Sequence, residues 1–290
     1  MTGEAGARST IGSGEAHWGA LLRAFGVGLL LAAIFGPTWV WAANIWSHSE
    51  YYGHGWLLLP VSAYLAYRRW LTRPQPGGAT WPGLVLVLSG LVVHMASRHV
   101  DVWFPSGFAF IVVLVGLVWW LGGARMARHF WFPIAYLALA VPLERILVLQ
   151  FAQPLQLWAS TAAAVVAGGV GMPIRQIGTT LEMPDYTFEV GIPCSGLKSS
   201  IAMTALAALV AYLLEGPLWS RLVILFAGVP LALLGNVVRI LVTLSARSIG
   251  PELAEGFFHT VSGLLVFAVA VGGLMALARV LGCQAIRSDI

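Results

Sequence analysis

The chain has 290 residues, of which 59% are hydrophobic and only 10% charged, and its formal net charge is +4. A soluble globular protein carries about 25% charged residues, so charge cannot cover this surface and lipid must. That excludes a soluble domain, and basic residues in a chain of this kind set membrane topology rather than signal nucleic-acid binding.

The expected fold class is an all-α polytopic membrane protein of about eight transmembrane helices. An interfacial or re-entrant segment and a short extracytoplasmic β-hairpin-like loop are expected to interrupt it. Residues 1–17 are small and polar and are expected to form a disordered cytoplasmic tail. The apolar run that follows is longer than the core of a cleaved signal peptide and has no clear cleavage site, so a retained helix is expected. Residues 18–282 read as a single transmembrane domain, because no long Pro/Gly/Ser linker divides them, and 283–290 as a cytoplasmic tail.

A span needs about 20 mostly apolar residues. The runs near that length are 19–43, 55–71, 81–97, 104–121, 129–146, 195–214, 220–246 and 258–281. Between them, 147–170 contains Gln150, Gln153 and Gln156, which suits an interfacial or re-entrant helix better than a lipid-facing one. If that segment stays outside, Arg8, Arg23, Arg68, Arg69, Arg73, Arg125, Arg128, Arg221, Arg279 and Arg287 all fall in the cytoplasm. Only Arg98, Arg145, Arg175 and Arg247 then lie near outer loops. The positive-inside bias therefore places both termini in the cytoplasm. Within 171–193, Leu181-Glu182-Met183 and Tyr186 to Val190 alternate in the manner of strands, with a turn expected near Pro184-Asp185. Such a hairpin would lie over the outer face and offer an edge to an extended peptide.

In this topology three reactive side chains reach one depth on one face. Cys194 opens the sixth span and His259 the eighth, while Arg239 lies about 25–30 Å along the seventh at 1.5 Å per residue. A thiol before a helix, with Pro193 and Gly196 around it, is expected to gain thiolate character from the helix dipole. Lys198, the only lysine, follows four residues on and is expected on the same helical face. Cys194 is thus the candidate nucleophile, with Ser195 beside it. His259 is the candidate proton carrier, and His54 is its rival at the same face. Arg239 is costly at membrane depth and needs a role: stabilising an oxyanion, binding a substrate carboxylate, or pairing with Glu182, Asp185 or Glu189. Asn236, one turn earlier, extends its polar stripe. Cys283 reads as an inert thiol near the cytoplasm. The histidines and cysteines have no metal-site spacing and no Gly-rich phosphate loop stands out, so neither metal nor cofactor is expected.

Several segments together resemble one family. Pro193-Cys194-Ser195-Gly196-Leu197-Lys198-Ser199 resembles the nucleophile motif of the exosortase/archaeosortase family of membrane cysteine transpeptidases. Asn236-Val237-Val238-Arg239-Ile240 is similar to its arginine motif and His259 to its histidine. The segment from Tyr52 to Pro60, continuing to Tyr67-Arg68-Arg69-Trp70, is similar to its early block. Pro154-Leu155-Gln156, Gly171-Met172-Pro173-Ile174 and Gly178 match the approach to its cysteine. The resemblance implies a cysteine peptidase/transpeptidase of the cell (inner, cytoplasmic) membrane with its active site on the extracytoplasmic face. Its substrates would be membrane-anchored proteins ending in a sorting signal: a PEP-CTERM-like motif, a transmembrane helix and a basic tail. Cys194 would form the acyl-enzyme, His259 act as acid/base, Arg239 stabilise the oxyanion, and an unknown acceptor take the product. The partners implied are those substrates, the acceptor and the bilayer, with no nucleic acid. The alternatives are a different intramembrane hydrolase or acyltransferase, and a non-catalytic transporter or assembly scaffold.

Overall fold

The computed structural model describes the backbone over 5–249 and 257–287, and side chains over 25–247 and 263–287. A backbone in lipid must satisfy its own N–H and C=O groups, which favours helices. Helices α1 (Ala5–His48), α2 (Gly55–Leu71), α3 (Trp81–His99) and α4 (Phe104–Tyr136) come first. A 3-10 turn (Leu137–Ala140), α5 (Glu144–Leu147), a π turn (Val148–Ala152) and α6 (Gln153–Gly169) follow. Strands β1 (Arg175–Ile177), β2 (Thr180–Glu182) and β3 (Thr187–Glu189) precede a 3-10 turn (Ile192–Cys194). Then come α7 (Leu197–Leu213), α8 (Leu218–Ile249) and α9 (Phe257–Val280).

Among the described residues, five stretches are long and apolar enough to span a membrane: Phe25–His48, Trp81–His99, Phe104–Ala140, Leu218–Arg247 and Gly263–Val280. That differs from the expected eight for two reasons. Helices α2 and α7 have 17 residues each, short of the usual length of about 20. The fourth and fifth expected spans also form one helix, α4, broken at Gly123. Gly123 has φ +80° and ψ 172°, a conformation open essentially to glycine alone. Beyond the break, Met126, Phe130 and Ile134 pack against Ile111, Leu114, Val115 and Val118. A straight helix would hold Ile134 about 35 Å from Ile111, so the chain folds back on itself at Gly122-Gly123. Helix α1 starts at Ala5 and so runs through most of the segment expected to be disordered.

Helices α3 and α4 approach backbone to backbone, since a Cβ on Gly83 would lie 2.2 Å from the Trp120 nitrogen. Across this bundle Ser106 Oγ bonds Thr38 Oγ1 at 2.6 Å and His94 Nδ1 at 2.7 Å, a buried polar chain whose members satisfy one another. Helices α7, α8 and α9 pack through Met203, Ala207, Ile224, Ala270 and Leu274. Tyr212 joins the two bundles. Its ring stacks on Phe132 at 3.6 Å, and its hydroxyl accepts from Arg69 Nε at 2.8 Å. The stretch that follows α9 is held there too, because Leu214 bridges Ile286 and Cys283 is only 1% exposed.

The sheet has the order β1-β2-β3, antiparallel throughout. The hairpin expected near Pro184-Asp185 is present, closed by Met183 N–H donating to Tyr186 O at 2.9 Å. The strand β1 before it was not foreseen. Leu181 and Val190 are fully buried against Ala159 and Ala163 of α6 and against Val237, Ile240 and Leu244 of α8. With 32 residues, α8 is about 48 Å long, more than a hydrocarbon layer of about 30 Å holds without tilt. Its C-terminal turns therefore serve as a platform for α6 and the sheet.

Candidate active site

The site is built on the segment that joins β3 to α7. Gly191 N–H turns back to Glu189 O at 3.0 Å, and Cys194 N–H then donates to Gly191 O at 2.9 Å. Cys194 closes this short turn half-buried. Ser195 is fully buried, and its hydroxyl accepts from Leu197 N–H at 3.2 Å. Ser195 therefore shapes the entry to α7 and does not face outward as a second nucleophile.

Gly196 is the pivot. Its φ is +81°, and a Cβ there would sit 3.1 Å from Leu233 Cδ2 and 3.2 Å from Asn236 Cβ of α8. Left-handed backbone and close approach to a neighbouring helix both require glycine. The break corrects one expectation: Cys194 and Lys198 do not share a helical face, since α7 starts only at Leu197, and Lys198 is exposed. The thiol sits three residues before the first residue of α7. Gly196→Ala is expected to lower stability by about 1–3 kcal/mol, the range for a strained non-glycine residue. A lowered thermal midpoint in detergent, with slower alkylation of Cys194, would register it. An unchanged midpoint would contradict the crowding described.

Helix α8 grips the same turn through two side chains one turn apart. Asn236 Nδ2 donates to Cys194 O at 2.6 Å, and Arg239 Nη2 donates to Pro193 O at 3.0 Å. Arg239 Nη2 also donates to Asn236 Oδ1 at 2.8 Å. Asn236 is 3% exposed, so an unmet amide there would be costly. Among the described residues the partners of Arg239 are thus a carbonyl and an amide oxygen, not the carboxylates considered from sequence. The Nη1 side of the guanidinium faces α9: a Cβ on Gly263 would lie 3.8 Å from it. A cavity of about 30 Å³ separates the helices, lined by Ser199, Asn236, Arg239, Gly263 and Phe267 among others. His259 lies four residues before Gly263, one turn towards the start of α9, and its side chain is outside the described residues.

From the other side, α6 holds the strands that lead into the turn. Gln156 Nε2 donates to Val190 O at 3.0 Å, and Ser160 Oγ donates to Thr179 O at 3.2 Å. Val190 and Thr179 form the last rung of the ladder, with Val190 N–H on Thr179 O at 3.0 Å. The sequence reading took the glutamines only as signs of an interfacial helix. Their signal as positioning groups was the i, i+4 spacing of Gln156 and Ser160, which places two donors on one face.

Three other histidines have partners elsewhere. His94 belongs to the Thr38–Ser106 chain, His129 Nε2 lies 2.8 Å from Arg69 O, and His48 Nδ1 lies 2.9 Å from Asn44 O. His54 stacks on Tyr52 at 5.6 Å, and its Nε2 is buried without a hydrogen-bond partner among the described residues. Burial holds its imidazole below the ordinary range, against the opposing effect of its bond to the Tyr51 backbone. Tyr52 lines an apolar cavity of about 360 Å³, shared with Leu143, Phe151, Leu197, Ser200 and Thr204. Asn236 bonds both Cys194 O and Arg239, whereas the described contacts of His54 are with Tyr52 and the Tyr51 backbone.

Such an arrangement sets a half-buried thiol on a turn whose preceding carbonyl is held by a cationic donor. A family model for transmembrane exosortases matches residues 46–276. No curated protein and no solved structure matches the chain.

Proposed function

The chain belongs to the transmembrane exosortase family, and from that premise we propose that it is a membrane-embedded cysteine peptidase/transpeptidase acting through Cys194. The Cys194 thiolate attacks the carbonyl carbon of a scissile peptide bond, and the developing oxyanion is met by the Arg239 guanidinium. The tetrahedral species collapses as the C–N bond breaks. His259 takes the thiol proton and returns it to the leaving amine. The substrate is left as a thioester on Cys194, and attack by an acceptor nucleophile frees the enzyme. The substrates are membrane proteins with a C-terminal sorting signal of the PEP-CTERM kind: a short motif, a transmembrane helix and a basic tail.

One observation carries this reading. Two consecutive carbonyls, Pro193 O and Cys194 O, are bonded by Arg239 and Asn236, so the thiol and the guanidinium cannot move apart independently. Preorganisation of this kind is what a developing charge needs. A packing cysteine would have no use for it.

The topology of this reading is eight crossings. The two arms of α4 count separately, α2 and α7 cross as short spans, and residues 144–169 remain on the outer side with the sheet. Both termini are then cytoplasmic and the site faces out of the cell.

The test is capture. Cys194→Ala protein, purified from native membranes, is expected to retain uncleaved substrate, and mass spectrometry should recover proteins sharing a short motif before a C-terminal helix and basic tail. Recovery of no such class, with membrane-protein processing unchanged, would favour a transporter or scaffold.

A further inference from the structure

The sheet ends on β3, and its ladder leaves one side of that strand open. Met183 N–H donates to Tyr186 O, and Val190 N–H to Thr179 O. Alternate residues of an antiparallel strand bond to the same neighbour, so Tyr186, Phe188 and Val190 turn their backbone groups towards β2. Thr187 and Glu189 turn theirs away. Glu189 O is taken by Gly191 N–H at 3.0 Å. The outer side of β3 is left with the N–H and C=O of Thr187 and the N–H of Glu189, with no backbone partner among the described residues. Both side chains are exposed.

Two features suit this edge to receive another chain. It is held rigid, with Leu181 and Val190 fully buried beneath it and Gln156 and Ser160 bonded to its last rung. It also runs into the nucleophile, since Glu189 is followed by a single tight turn and Cys194 lies five residues on. An extended backbone laid along β3 would be carried towards the thiol by the direction of the strand.

We infer that β3 is the docking edge for the substrate polypeptide, which adds to the sheet as a fourth strand. One substrate residue exchanges both backbone hydrogen bonds with Thr187, the donor of Glu189 continues the ladder, and the chain runs on to present its scissile carbonyl at Cys194. Recognition by strand addition takes affinity from main-chain bonds and leaves alternate side chains to set specificity. The inference rests on the thiol mechanism proposed above, because the edge leads only to Cys194.

The deciding variants are Thr187→Pro and Glu189→Pro. Each deletes an outward donor and spares the bonds to β2, as proline is tolerated on an edge. The readout is conversion, in native membranes, of those membrane proteins that the wild type processes and Cys194→Ala leaves intact. Thr187→Pro is expected to slow conversion up to about tenfold, the weight of one backbone hydrogen bond, with Cys194 still alkylated by iodoacetamide at nearly the wild-type rate. Gln176→Pro, on the outer side of β1, should convert normally. Normal conversion by Thr187→Pro would overturn the docking edge and leave the thiol enzyme standing. Absence of any Cys194-dependent conversion would overturn both. Should Thr187→Pro disturb alkylation, hydrogen exchange on Cys194→Ala protein with its captured substrate decides. Slower exchange of the Thr187 and Glu189 amides than in stripped protein supports the edge, and equal exchange overturns it.

Discussion

Cys194→Ala is expected to abolish processing while the protein remains inserted and folded. The substitution removes only Sγ. The turn around it is held by backbone atoms: Asn236 still reaches residue 194 O, and the residue 194 N–H still reaches Gly191 O. The cost to stability should therefore stay near the usual value of about 1 kcal/mol or less. The cost to reaction is of another order, because no other thiol can substitute. Cys283 is 1% exposed and packed where the stretch after α9 meets the turn between α7 and α8. Loss of a covalent nucleophile costs about 10⁴- to 10⁶-fold in enzymes of this mechanistic type. Cys194→Ser should be nearly as inactive, since a hydroxyl is far less acidic than a thiol. Intact-cell labelling of wild type with a membrane-impermeant maleimide should mark Cys194 and spare Cys283, which places the site on the outer face. Wild-type processing by Cys194→Ala would end the thiol mechanism.

Arg239→Ala is the second large effect, with an expected loss of about 10²- to 10³-fold, the range for removing one oxyanion donor. Its geometry separates a chemical role from a structural one. Arg239 Nη2 serves two acceptors at once, Pro193 O and Asn236 Oδ1, and the guanidinium keeps a second nitrogen towards α9. Lysine keeps the charge but is a single point donor. Arg239→Lys should therefore keep the fold and recover only part of the rate. If the arginine only pinned the turn, both variants would slow alkylation of Cys194 by a small reagent as much as they slow processing. If it stabilises the reaction, alkylation should stay nearly normal while processing falls. Full activity in Arg239→Ala would remove it from the mechanism.

The strand and turn pattern of the loop before Cys194 was visible in the chain because it is local. Alternation over Leu181 to Val190 with Pro184-Asp185 between marks a hairpin, and the hairpin forms there. Strand β1 was missed because Arg175-Gln176-Ile177 is too short to show alternation, and it becomes a strand only by pairing with Thr180 to Glu182. Lys198 was misplaced for a related reason. Helical spacing assumes an unbroken helix, and the left-handed Gly196 needed against Asn236 breaks it. The expected division of 104–146 into two separate spans meets a single helix that is broken at Gly123, because a left-handed glycine reverses the chain without a loop that the sequence would show.

What the sequence determined alone is what free energy assigns residue by residue: a lipid-covered chain, the apolar runs, and a thiol where a polar loop meets a helix. It also paired Asn236 with Arg239, since a spacing of three on any helix makes them neighbours. What only the tertiary structure decided is which distant groups meet. That Asn236 and Arg239 bond the carbonyls of Cys194 and Pro193, and that Gln156 and Ser160 hold the last rung before them, depends on α6, α8 and the sheet packing at one end of the molecule. Contacts between residues distant in sequence are set by the packing of whole faces, and neither periodicity nor composition records which faces meet.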